Sequence, residues 1–108
     1  MKGSRLGEFE EFTLLAVRAL KDATYAVPVQ AFVERSAGRA VTMGAVYAAL
    51  DRLEAKGFVR SVLGDPTPQR GGKRKRLYDI TPAGMRTLRE LRRVRDRIWM
   101  TIEEGGST

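Results

Sequence analysis

Five of the seven residues from position 70 to 76 are cationic, namely Arg70, Lys73, Arg74, Lys75 and Arg76, and none is acidic. Like charges this dense repel one another until a polyanion neutralises them, and a nucleic-acid backbone is such a polyanion. Gly71 and Gly72 lie inside the run and let the chain bend sharply and approach a backbone closely. A solubilising loop or a localisation-type basic run shares this composition. The second candidate is the segment from Thr42 to Arg52. There Val46, Ala49, Leu50 and Leu53 fall at i, i+3, i+4 and i+7, which defines one buried face of a helix. The opposite face presents Gly44, Ala45, Ala48 and Arg52, with Tyr47 at the flank, so its first two turns are nearly bare of bulk. A helix entering the ~12 Å major groove needs that room for its backbone, and its N-terminal residues meet base edges and phosphates. Thr42 and Tyr47 can donate hydrogen bonds to phosphate, and Arg52 can add charge. Taken alone, the segment is equally a solvent-facing helix in which alanine serves propensity. Gly44 fits that reading less well, because glycine weakens a helix by ~1 kcal/mol relative to alanine.

Other chemistry is absent from the sequence. The 108 residues contain no cysteine and no histidine, which removes disulfides, thiolate chemistry, the usual zinc sites and imidazole acid–base catalysis. The carboxylates are dispersed, and no Gly-rich phosphate loop follows a strand, so neither an enzyme nor a cofactor is expected. Twenty Lys plus Arg against thirteen Asp plus Glu give a net charge of +7, which suits nucleic acid or an anionic membrane surface. No apolar run approaches the ~18–20 residues that cross a bilayer. The basic start leads into Glu8, Glu10 and Glu11 rather than a secretory apolar region, so a soluble cytoplasmic protein is the expectation.

The elements that must position these residues follow from spacing and punctuation. Phe9, Phe12, Ala16 and Ala19 or Leu20 predict a helix over 8–21, and Leu14, Leu15 and Val17 widen its apolar surface so that it packs on two sides. After a break at 22–26, Pro28 suits the first turn of a second helix that carries Val29, Phe32 and Val33 and ends near 36–38. Thr42 is the N-cap of a third helix, and Gly57 ends it. Two strands are expected at 58–63 and 76–80, joined by a tip at 64–75 that holds two prolines and three glycines. Thr81 and Pro82 read as N-cap and first turn of a helix reaching about Glu103, with a frayed tail at 105–108. The fold is therefore mainly α with a small β-hairpin (α+β): three helices, a two-stranded wing and a long C-terminal helix, the winged helix-turn-helix layout. In that layout a basic run between two strands is best explained as a wing lying on phosphates. Residues 1–80 form the DNA-binding unit and 81–108 the dimerisation helix of one compact whole.

On the last helix Gly84, Leu88, Leu91, Arg95, Ile98, Trp99 and Ile102 fall within one broad stripe, which a core ending near Thr81 is too short to cover. An exposed apolar patch of this kind marks an interface. The opposite side, with Arg86, Arg89, Glu90, Arg93 and Arg97, suits solvent. Arg95 interrupts the stripe and is costly there unless paired, with Glu8, Glu10 and Glu11 as its nearest carboxylate source. The expected homodimer packs this helix against helices one and four of a second copy, through Phe9, Phe12, Leu88, Leu91, Arg95, Ile98, Trp99 and Ile102. Arg95 is paired across or beside the axis. Trp99, the single tryptophan, either fills the dimer core or, with its symmetry mate, sandwiches a small planar aromatic effector.

The run from Gly44 through Tyr47, Leu50, Asp51, Arg52 and Leu53 to Gly57 is similar to the recognition-helix signature of PadR-type regulators. Arg70-Gly71-Gly72 through Arg76-Leu77-Tyr78-Asp79-Ile80-Thr81-Pro82-Ala83-Gly84 resembles the wing and helix start of that family. Leu6 to Phe12 and Tyr25 also match it. The resemblance implies a transcriptional repressor that binds a pseudo-palindromic operator in double-stranded DNA as a two-fold dimer, often released by a small phenolic or drug-like ligand. By position, Tyr47 and its neighbours would contact DNA, and Lys73, Arg74, Lys75 and Arg76 would grip phosphates or the minor groove. Ala26 and Val27-Pro28 depart from the commoner Gly-containing entry to the second helix. With one long C-terminal helix, the chain resembles the short subgroup that lacks a larger C-terminal domain. Two other classes share these features: a winged-helix module that binds RNA or protein, and an architectural DNA binder without sequence preference.

Overall fold

A computed structural model of the chain describes residues 6–65 and 74–105. Helix α1 (Glu8–Ala19) opens with Glu8, Glu10 and Glu11 in its first turn, where acids complement the positive end of the helix dipole. Helix α2 (Ala26–Ala37) starts two positions ahead of the Pro28 expected from sequence. Tyr25 is extended at φ −132° and its carbonyl accepts the N–H of Val29. Pro28 therefore sits third in the helix, still within the turn whose N–H groups have no helical partner. Gly38, at φ 70°, closes α2. In helix α3 (Met43–Ala55), the Thr42 hydroxyl accepts the N–H of Ala45 at 3.1 Å, the cap its position predicts. Gly57 at φ 81° ends the helix in a Schellman turn: its N–H bonds Glu54 O and the Phe58 N–H bonds Leu53 O, each at 2.9 Å.

Strands β1 (Val59–Leu63) and β2 (Arg76–Ile80) pair antiparallel, with Val59 opposite Ile80 and Leu63 opposite Arg76. Phe58, expected at the start of β1, belongs instead to the turn that closes α3. The segment between α1 and α2 does more than break a helix. Lys21 and Asp22 adopt left-handed backbone (φ 58° and 51°), and Thr24 then exchanges both backbone hydrogen bonds with Tyr78, a one-residue third strand.

Helix α1 packs against α2, α3, β2 and α4, as its wide apolar surface predicts, although Leu15 stays 43% exposed. Leu14, Val17, Val29, Val33, Val46, Leu50, Leu53, Phe58, Val59 and Tyr78 form the buried core. Helix α4 (Pro82–Gly105) runs two residues past its expected end and takes in Gly105; the rest of the tail lies outside the described residues. It enters over the sheet at Thr81, whose hydroxyl donates to Gly57 O (2.7 Å) and accepts the N–H of Gly84 (3.0 Å). Gly84 lies so close that a Cβ there would overlap the Phe58 carbonyl and sit 2.8 Å from Ile80 Cγ1, so the helix can cross here only on a glycine.

Leu88 is a correction to the expected interface: it is 7% exposed and packs in the chain's own core. Beyond Leu88 no α4 residue is buried, and Ile98, Trp99, Met100 and Ile102 are 52–59% exposed. Among the described residues no helix is long and apolar enough to cross a membrane.

Candidate nucleic-acid interface

The attitude of α3 is set by its four buried residues, Val46, Ala49, Leu50 and Leu53, and by a clamp on the turn before it. Gln30 Nε2 donates to the Val41 carbonyl at 2.7 Å, and the Val41 N–H donates to Glu34 Oε2 at 2.9 Å. Both backbone groups of Val41 are thus satisfied by one face of α2. Sequence reasoning missed this pair, although Gln30 and Glu34 stand at i, i+4, which was a usable signal. With α3 so held, Gly44, Ala45, Tyr47, Ala48 and Arg52 are exposed, as is Thr42. The Thr42 oxygen is occupied by Ala45, but its proton remains available to an acceptor such as phosphate.

Arg52 is not a freely swinging cation. Its Nε donates to Glu10 Oε2 at 2.5 Å, while Lys56 Nζ donates to Glu10 Oε1 at 2.8 Å and the Gly7 N–H reaches the same oxygen at 3.3 Å. Glu10, 6% exposed, is the buried hub of this cluster. Burial pushes its carboxyl up, but the hydrogen bonds from Lys56, Arg52 and Gly7 together outweigh that and leave it below the ordinary carboxylate value of 4.5. The folded chain therefore binds this proton less readily than the unfolded chain. The stabilisation is complete above the ordinary value and is lost as the pH falls from there through the lowered folded value. Glu10→Gln is expected to flatten the acid side of the stability–pH profile, read from denaturant melts between neutral pH and about pH 3. An unchanged acid limb would assign that loss to other carboxylates.

Arg70 and Lys73 lie outside the described residues. Arg74, Lys75 and Arg76 are exposed, and each makes a contact within the chain. Arg74 Nε donates to Gly64 O at 3.0 Å, Lys75 Nζ stands 4.2 Å from the Tyr25 ring centroid, and Arg76 Nη1 donates to Ser61 Oγ at 3.0 Å. Ser61 in turn donates to Glu54 Oε2 at 2.8 Å. None of the three forms an ion pair among the described residues, so their positions are fixed without direct pairing to a carboxylate.

The sequence expects Arg95 to be paired across or beside a dimer axis with Glu8, Glu10 or Glu11 as the carboxylate source, and the partner found is one of those three. Arg95 pairs within the chain, with Glu11, because α4 crosses the first turn of α1. The Glu11 hydrogen bond and charge raise the Arg95 pKa further. Phe9 and Phe12 are half-buried against the core, Leu91 is half-buried, and Ile98, Trp99 and Ile102 face solvent. Phe12, Leu15, Phe32, Val33, Ser36 and Ala37 line an apolar groove of about 200 Å³ between α1 and α2.

Three helices, a bare outward face on the third and a cationic two-stranded hairpin define a winged helix-turn-helix, a DNA-binding fold of transcriptional regulators. The model of the transcriptional regulator PadR-like family matches residues 15–90, and the chain belongs to that family, which is one of regulators and not of enzymes. Its fold is similar to that of a PadR-like transcription factor from Bacteroides fragilis (TM-score 0.72, 21% identity, covering 89% of this chain and 87% of that one). A PadR family transcription regulator from Clostridium difficile R20291 is also similar (TM-score 0.70, 20% identity, 91% and 97% covered). So is Bacillus subtilis PadR in complex with operator DNA (TM-score 0.66, 16% identity, 81% of this chain and 48% of that one). No curated protein matches the chain.

Proposed function

We propose that the chain binds a pseudo-palindromic operator in duplex DNA as a homodimer and represses transcription, acting in the cytoplasm. Helix α3 enters the major groove and the hairpin lies on flanking phosphates. The observation that carries this reading is the outward face of α3. Gly44, Ala45 and Ala48 leave it without bulk, Thr42 and Tyr47 border it with hydroxyls, and fixed cations stand on the neighbouring hairpin. The exposed end of α4 supports the dimer, packing on α1 and α4 of a second copy through Ile98, Trp99 and Ile102, with Phe9, Phe12 and Leu91 beside them. Repression rests on the resemblance of residues 44–57 and 70–84, and operator binding is supported by the similar fold of Bacillus subtilis PadR in complex with operator DNA.

Selection of bound duplexes from a random pool tests this. A repressor is expected to enrich one two-fold site and to bind it at least about 10³-fold more tightly than random duplex. Equal affinity for all duplexes, or for RNA, would leave only a non-specific binder. The hairpin cations supply affinity rather than preference. Lys73→Ala with Arg74→Ala is expected to weaken all duplexes alike and to flatten the salt slope by about one unit for each phosphate no longer neutralised. Wild-type affinity at every salt concentration would remove the wing from the interface.

Trp99, 59% exposed near the end of α4, is the proposed contact for a small planar aromatic effector held between two copies. Quenching of its fluorescence by such compounds checks this; a screen without quenching leaves Trp99 as dimer core.

A further inference from the structure

Glu10 and Glu11 are neighbours in the first turn of α1, yet they serve different helices. Glu10 holds Arg52 of α3 and Lys56 at the C-cap of that helix, whereas Glu11 holds Arg95 of α4. The two targets lie 42–46 and 84 residues away in sequence. Helix α1 packs against both α3 and α4, and those two share little direct contact. Neither carboxylate gives up its partner cheaply: their side chains are 8% and 13% exposed, and a desolvated carboxylate left unpaired is costly. One helical turn is stiff, so the two groups cannot shift independently.

We propose that the first turn of α1 is the link through which the placement of α4 sets the attitude of the DNA-reading helix. A displacement of α4, as on dimer formation or effector binding, pulls on Glu11 through Arg95. The rigid turn carries Glu10 with it, and Glu10 moves the C-terminal half of α3 through Arg52 and Lys56. Glu10 also aims Arg52. Its carboxylate takes the Nε, and no other hydrogen bond engages that guanidinium among the described residues, so the two Nη groups remain for a phosphate. Glu10 and Glu11 act through other residues and are positioning residues. The proposal rests on the reading of α3 as the DNA-contacting helix and α4 as the dimer helix.

The test compares operator with random-duplex affinity at fixed salt, alongside sedimentation for the dimer and circular dichroism for the fold. Glu10→Gln and Glu11→Gln are each expected to lower the operator-to-random ratio about tenfold, within the usual range of coupling between sites. Both are expected to stay folded, because Gln keeps the shape of Glu and an oxygen that accepts the same hydrogen bonds, and to stay dimeric, because the apolar end of α4 is untouched. A purely structural role would lower the melting temperature and leave the ratio alone. The charge swap Glu11→Arg with Arg95→Glu should recover most of the ratio lost by Glu11→Arg. If Glu10→Gln does not fold, the Glu11→Gln variant and the swap at the more exposed pair decide the matter. Folded dimers with an unchanged ratio, or a swap without recovery, would overturn the link while the operator reading stands. A wild-type chain with no operator preference would overturn both.

Discussion

Ala48→Glu is expected to abolish operator binding while leaving the fold intact. Ala48 points away from the core, whose α3 contacts come from Val46, Ala49, Leu50 and Leu53. A glutamate there fills no buried space and costs only a few tenths of a kcal/mol in helix propensity. In the groove it brings a negative charge against phosphates and takes the room the helix backbone needs. The expected loss is the whole margin between operator and random DNA, about 10³-fold or more, equivalent to ~4 kcal/mol. Gly44→Leu should act the same way through bulk alone. A Cβ at Gly44 meets nothing within 4 Å, so the folded chain accepts it. Electrophoretic mobility shifts on the selected operator, with thermal melts of both variants, read the outcome. Normal binding by either folded variant would remove this face of α3 from the DNA interface.

Removal of α4 beyond Leu88 is expected to give a folded monomer with an operator affinity lowered by about 10²–10⁴-fold, the usual gain from joining two binding events. Gly84, Thr87 and Leu88 are the buried residues of α4, so the truncation spares the core contacts of that helix. It does remove the half-buried Leu91 and Val94 and the Arg95–Glu11 pair, which lowers the melting temperature. It also removes Ile98, Trp99, Met100 and Ile102, an exposed apolar set that a monomer has no use for and a two-fold interface would cover. Sedimentation equilibrium and binding to full and half operators measure the two effects. A truncated chain that stayed dimeric and bound the full operator normally would sink the α4 interface. A full-length double variant Ile98→Glu with Trp99→Glu gives the same answer without shortening the chain.

Much of the site is legible in the residues themselves, and the reasons are local. Thr42, Gly57 and Thr81 mark helix ends because capping bonds reach only three to five residues along the chain. The outward face of α3 follows from periodicity, since a helix that buries Val46, Leu50 and Leu53 must expose Ala48. The cations of residues 70–76 need only to be counted. Where Pro28 falls within α2 is not fixed by such signals, because a proline is tolerated at any position of the first turn.

What remains belongs to the meeting of distant segments. Arg52 reads as a free cation along the chain, and its tie to Glu10 exists because α1 and α3 pack side by side. Arg95 has three candidate acids in sequence. The crossing of α4 over the start of α1 selects Glu11 and makes the pair intramolecular. Leu88 and Ile98 belong to one stripe by spacing, yet Leu88 is buried in the chain's own core while Ile98 stays exposed. Thr24 carries no pattern at all, since a single bridge to Tyr78 has no period to detect. Caps, turns and buried faces are set by energies acting within a few residues, which a sequence displays directly. The partner of a charge, and the half of a stripe that stays in solvent, depend on which helices lie together, and that is decided only when the core packs.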